Sequence, residues 1–121
     1  MSTGLRVVLN MKSCENTRLY RAIGFAEFFS VMDTGLFTLR PNGLESKYFG
    51  MDFNETLDFA NKAFNIHVVA IVEAVVKKGV LNRVGDFTEV DFSVFKSGTV
   101  EIHREHLDEF NDAVLEIKHV F

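Results

Sequence analysis

The fold is decided by the stretch Asp86–Phe121, DFTEVDFSVFKSGTVEIHREHLDEFNDAVLEIKHVF. Its first part places Val90, Phe92 and Val94 on one side and Glu89, Asp91 and Ser93 on the other. Val100 and Ile102 then alternate with Thr99, Glu101 and His103. Alternation with period two marks strands with one dry and one wet face. Lys96-Ser97-Gly98 lies between them, and its glycine can take the positive φ that reverses the chain. An antiparallel hairpin is therefore expected. Leu107, Phe110, Val114, Ile117 and Phe121 follow at three- and four-residue steps, which predicts an amphipathic helix lying across the dry face of the hairpin.

Working outward, Asp52 and Glu55 have the spacing of a capping box, which predicts a helix over about Phe53–Phe64 with Phe53 stapled onto Leu57. The apolar segment Ile66–Lys78 suits a strand by its branched residues. Its length and its Lys77-Lys78-Gly79 ending favour a buried helix, which is the reading adopted. Phe25–Met32, Leu36–Arg40 and Leu44–Met51, separated by Asp33-Thr34-Gly35 and Pro41-Asn42-Gly43, read as a three-stranded meander. A short helix over Glu15–Ile23, capped by Ser13 and ended by Gly24, precedes it. Leu5, Val7, Leu9 and Met11 form an opening strand. The expected fold class is α+β: antiparallel strands, as a meander plus a C-terminal hairpin, with two to three helices packed on one side.

Residues 1–121 are expected to form a single domain, since the chain is long enough for a core but short for two. Hydrophobic residues make up 47% and thirteen are phenylalanine, which excludes a disordered composition. The longest apolar run, Ile66–Val76, is broken by His67 and Glu73 and falls short of the roughly 20 residues of a membrane helix. No basic start with an apolar block follows a secretory pattern, so no secretory signal is expected. The single cysteine, Cys14, cannot form an internal disulfide, and a reducing, cytoplasmic setting follows.

With 17 acidic and 13 basic side chains the formal charge is −4, which opposes nonspecific attraction to nucleic acid. Asn54–Phe64, a break at Asn65, a segment ending Val75-Val76-Lys77-Lys78-Gly79-Val80-Leu81-Asn82-Arg83 and the hairpin together resemble a winged helix-turn-helix. That resemblance implies DNA or RNA contacts from the second helix and from Lys96 at the wing tip. His67-Val68-Val69-Ala70-Ile71-Val72-Glu73 offers that helix few side chains able to reach base edges, and the wet face of the hairpin is acidic. Over residues 92–111, Phe95-Lys96-Ser97-Gly98-Thr99-Val100-Glu101-Ile102 followed by Arg104-Glu105-His106-Leu107 resembles the hairpin-and-helix tail of an uncharacterised domain of plasmid- and phage-borne proteins. It implies a viral or mobile-element setting and brings no catalytic residue.

His103, His106 and Glu109 are spaced to share one face of a continuous helix, but the strand-to-helix break falls between them, so no metal site is expected. Cys14 at a helix start reads as an ordinary thiol, His67 as a core or capping histidine, and His119 as a cation at a helix C-terminus. No glycine-rich phosphate loop, serine elbow or paired-carboxylate signature is present, so no enzyme activity and no cofactor are expected. Phe53, Phe64, Phe92 and Phe110 are expected in the core. Phe95 falls on the polar face of its strand, where it marks either a protein contact or a ring covered by neighbouring loops. The expected function is a small non-enzymatic protein-binding module, an inhibitor or regulator of a host protein, with Asp91, Phe95, Glu101 and His103 as the contact candidates and a homodimer left open. A winged-helix-like regulator and an enzyme with a dispersed site are the alternatives.

Overall fold

The computed structural model describes residues 15–39, 45–64, 69–88 and 93–121. The opening strand, Cys14, His67, Phe92, Asp91 and the Pro41-Asn42-Gly43 turn lie outside them. Among the described residues six strands form one antiparallel sheet, ordered β4-β5-β2-β1-β3-β6. In chain order these are β1 (Asn16–Gly24), β2 (Lys47–Gly50), β3 (Val69–Lys77), β4 (Asp86–Thr88), β5 (Thr99–Ile102) and β6 (Val114–His119). The helices are α1 (Phe25–Thr34), α2 (Phe53–Ala63), α3 (Lys78–Val84) and α4 (Leu107–Ala113), the last preceded by a 3₁₀ turn at Arg104–His106. The α+β class is as expected.

Several element assignments change, each for a physical reason. The segment expected as a helix over Glu15–Ile23 is instead the strand β1, because Leu19 and Ile23 also share one face at period two and β1 pairs with β3 from Asn16↔Lys77 to Gly24↔Val69. Phe25–Met32 is the helix α1 and not a strand. Phe25, Phe29 and Met32 recur at helical spacing, and Gly35, at φ 72°, closes the last turn by donating to the Val31 carbonyl at 2.7 Å. The meander therefore loses its first strand. Residues 36–39 join no ladder, although Phe37 is fully buried and its backbone is held by Asn111 through bonds of 2.9 and 2.8 Å.

The segment expected as a buried helix is strand β3, which lies between β1 and β6 with Ala70, Ile71, Val72, Ala74 and Val76 buried. A strand covered on both faces reads as a continuous apolar run and cannot be told from a core helix by periodicity alone. The final helix is shorter than expected. Leu107 and Phe110 do lie on its inner face, but Val114 and Ile117 belong to β6, which pairs with β3 through a bulge between Val75 and Val76. α2 is as expected, with Asp52 Oδ2 accepting from the Glu55 amide at 3.0 Å.

The hairpin exists with a different register. Thr88 faces Thr99 and Asp86 faces Glu101; Ser93 and Val94, expected in the first strand, form a turn, Lys96-Ser97-Gly98 forms another, and residues 89–92 lie outside the described residues. Gly98 does take a positive φ, 86°.

Alternation along β1 assigns the faces. Leu19 and Ile23 join the main core with residues of α1, α3 and α4, in which Phe37, Phe49 and Phe110 pack with ring centroids 5.0 to 6.1 Å apart. Three helices thus share one side, though of the expected helices only the last is among them. Tyr20, on the opposite face, meets Phe53 of α2 at 6.0 Å, so the fourth helix covers the other side. Phe64, expected in the core, is exposed at the end of α2.

Candidate functional site

The α2 face of the sheet carries a cleft and, beside it, a cluster of titratable side chains. α2 approaches β2 closely because position 50 is glycine: a Cβ there would stand 2.4 Å from Thr56 Oγ1 and 3.0 Å from the Phe95 ring. The space left between helix and sheet is a cleft of about 290 Å³, walled by Tyr20, Tyr48, Thr56, Phe59, Phe95 and Thr99. Phe59 packs on Phe95 at 5.1 Å. The walls are mostly aromatic, and the Thr56 hydroxyl is already committed to the Asp52 carbonyl at 2.9 Å. Burial, then the hydrogen bond from its hydroxyl to Glu73 at 2.9 Å, push the Tyr20 phenol above its ordinary range.

Two positions along the same face, β4 and β5 bring together Asp86, Glu101 and His103. Asp86 and Glu101 are cross-strand partners, and His103, two residues beyond Glu101, shares its face. His103 Nε2 stands 2.9 Å from Asp86 Oδ2, and its Nδ1 3.7 Å from Glu101 Oε2. One ligand atom from each of the three lies within 4.8 Å of the others. Glu101 accepts a hydrogen bond from Ser46 Oγ, so its carboxylate is oriented from β5's other neighbour. The hydrogen bond to Asp86 raises the His103 pKa above its ordinary value, with the Glu101 charge adding to it. Tyr48, opposite Glu101 in the ladder, has its phenol raised by burial and by that same carboxylate.

Of the residues singled out from the sequence, Glu101 and His103 meet in this cluster. Phe95 does not face solvent. It is 7% exposed, beneath α2, with its following turn anchored by the Ser97 amide and hydroxyl on the Glu55 carboxylate. Asp91 lies outside the described residues. His103, His106 and Glu109 do not converge on one helix face, since His103 lies before the 3₁₀ turn, just past β5, and Glu109 forms an ion pair with Arg83. His119 caps no helix: it is in β6, meeting the Phe28 ring edge-on with centroids 4.6 Å apart. Asp86 and Ser46 were not singled out, and Asp86 becomes legible only once Thr88 is known to face Thr99.

A third arrangement ties α1 to the sheet. Glu27 accepts from Arg21 at 2.8 Å and 3.2 Å and pairs with Lys47 at 3.3 Å. Burial alone would raise the Glu27 pKa, but the Arg21 hydrogen bonds and the charges of Arg21 and Lys47 outweigh it and hold the carboxyl below its ordinary range. Burial and the Arg21 charge push the Lys47 ammonium below its own. On the far side of α1, Phe25, Phe29 and Met32 are exposed at steps of four and three residues. Met32 and Leu115 of β6 flank one shallow depression.

Among the described residues no helix is long and apolar enough to cross a membrane. Comparison of the chain with family models, with curated proteins and with solved structures finds no match.

Proposed function

We propose that this chain is a non-enzymatic protein-binding module, a cytoplasmic inhibitor or regulator that works through the α1–β6 side of the sheet, and that a second copy of the chain is the first occupant of that side. The observation that carries the reading is an exposed apolar stripe beside a strand edge that pairs with no other strand among the described residues. Phe29 is 65% exposed, and Phe25, Met32 and Leu115 about half so. Contiguous exposed apolar side chains next to an unpaired edge fit recognition by strand addition.

The register of β3 determines which groups that edge offers. Lys78 donates to the Glu15 carbonyl and Val120 to that of Ile71, so even-numbered residues of β3 bond to β1 and odd-numbered ones to β6. Glu73 and Val75 therefore use Lys118 and Glu116, and the amides of Ile117 and His119 point to the open edge. An antiparallel partner centred on Ile117 places Glu116 of one copy opposite Lys118 of the other, twice about a two-fold axis. Opposite charges facing across a ladder are favourable and like charges are not. Leu115, at the bulge, lines the same depression as Met32, so the second copy also meets the apolar stripe.

The test is sedimentation of the wild type, Glu116→Lys, Lys118→Glu and the double exchange. A concentration-dependent dimer is expected for the wild type, loss of it in each single variant, and recovery in the double. A dimer indifferent to all three, or a monomer at every concentration, contradicts the reading. The single cysteine supports the cytoplasmic setting, and the likeness of residues 92–111 to a plasmid- and phage-borne domain supports a mobile-element origin. The nucleic-acid reading has no comparable support, since the segment it places in the groove is strand β3 and the net charge is −4.

A further inference from the structure

We propose that Asp86, Glu101 and His103 form a binding site for a divalent transition metal, with zinc the best match. The inference is independent of the dimer, because the site lies at the opposite edge of the sheet from β6. It rests on four observations of the β4–β5 edge.

The first is register. Two carboxylates directly opposite each other in an antiparallel ladder repel, and sheets avoid such pairs. Asp86 and Glu101 form one, and the His103 ring bridges them, 2.9 Å from Asp86 and 3.7 Å from Glu101, so all three side chains face one place where positive charge is favoured. The second is convergence, with one donor atom from each of the three residues within 4.8 Å of the others. The donor atoms of a tetrahedral zinc with bonds of about 2.0–2.1 Å stand roughly 3.3 Å apart, so rotation of partly exposed side chains completes the closure.

The third is orientation. Ser46 Oγ holds Glu101 from the neighbouring segment, as outer hydrogen bonds hold metal-ligating carboxylates. The fourth is access. Asp86 is half exposed and the His103 side chain 40% exposed, so an ion enters from solvent without unfolding the strand pair.

The donor set selects the metal. One imidazole nitrogen with two carboxylate oxygens suits zinc better than magnesium or calcium, which take oxygen-only cages. Three protein ligands leave a fourth position for water. The metal takes the nitrogen lone pair that a proton otherwise holds, so binding releases a proton and strengthens as the pH rises.

The experiment is calorimetric titration of the whole chain with Zn²⁺, with Mg²⁺ as the contrast. Thermal unfolding is followed with and without Zn²⁺. One zinc per chain, a higher unfolding temperature with zinc, and little response to magnesium are expected. His103→Ala and Glu101→Gln should each weaken zinc binding at least tenfold, and Ser46→Ala about tenfold. Circular dichroism of the variants separates loss of binding from loss of folding. Zinc binding unchanged in both His103→Ala and Glu101→Gln would mean that other histidines or Cys14 hold the ion, and would overturn the proposal. So would the absence of binding by a folded wild type.

Discussion

The two edges of the sheet end in opposite ways. β4 is three residues long and brings two carboxylates and a histidine together, whereas β6 is six residues long, alternates Glu116 and Lys118 on one face, and borders exposed Phe29 and Met32. A short edge with like charges opposed across its ladder resists another strand, and a longer one with complementary charges accepts it. One sheet can thus hold an ion-binding edge and a pairing edge without the two interfering, because four strands separate them.

The variant with the largest expected effect removes what both edges share. Phe110 is fully buried in the aromatic cluster under the sheet, and Phe110→Ala should cost about 3–5 kcal/mol of unfolding free energy in urea denaturation, loosening both edges together. A loss confined to one edge would show that the core is two cores.

Gly50→Ala separates the edges. The added methyl meets Thr56 and Phe95, so α2 must shift at a cost of about 2–3 kcal/mol, measured by the same denaturation. The damage should stay on the cleft and β4 side, leaving self-association intact.

Glu27→Gln sharpens the comparison from the other side. It leaves Arg21 and Lys47 facing one another without their shared carboxylate, which should cost about 1–2 kcal/mol near neutral pH and loosen α1 beside β6. The folded Glu27 pKa is depressed below its unfolded value of about 4.3. Its contribution is therefore complete above that value and is lost as the pH falls through the folded pKa. The gap between wild type and variant should shrink on acidification. A gap that stays constant would contradict the assigned pairing.

What was legible in the sequence follows the same physics. The α2 start was readable because Asp52 and Glu55 carry a local signal that needs no partner. β1 and α1 were exchanged because Leu19 and Ile23, four apart, fit either period, and only the ladder with β3 decides between them. β3 resembled a buried helix because both of its faces are covered. The hairpin was recognised but its register was not, since Gly98 announced a turn that proved to be internal to the connection. That odd-numbered slip moved Asp86 onto the face of Glu101, so the cluster at the β4 edge was only two-thirds visible: Glu101 and His103 were named, Asp86 was not. The apolar stripe of α1 was hidden by reading Phe25–Met32 as a strand.

The most direct measurement of the pairing-edge account is amide hydrogen exchange at Ile117 as a function of protein concentration. Its amide points away from β3, so it should exchange freely in dilute solution and become protected as the chain dimerises, while the Lys118 amide is protected throughout. An Ile117 amide that exchanges equally fast at every concentration, in a sample shown to be dimeric, would place the second copy elsewhere and contradict the account.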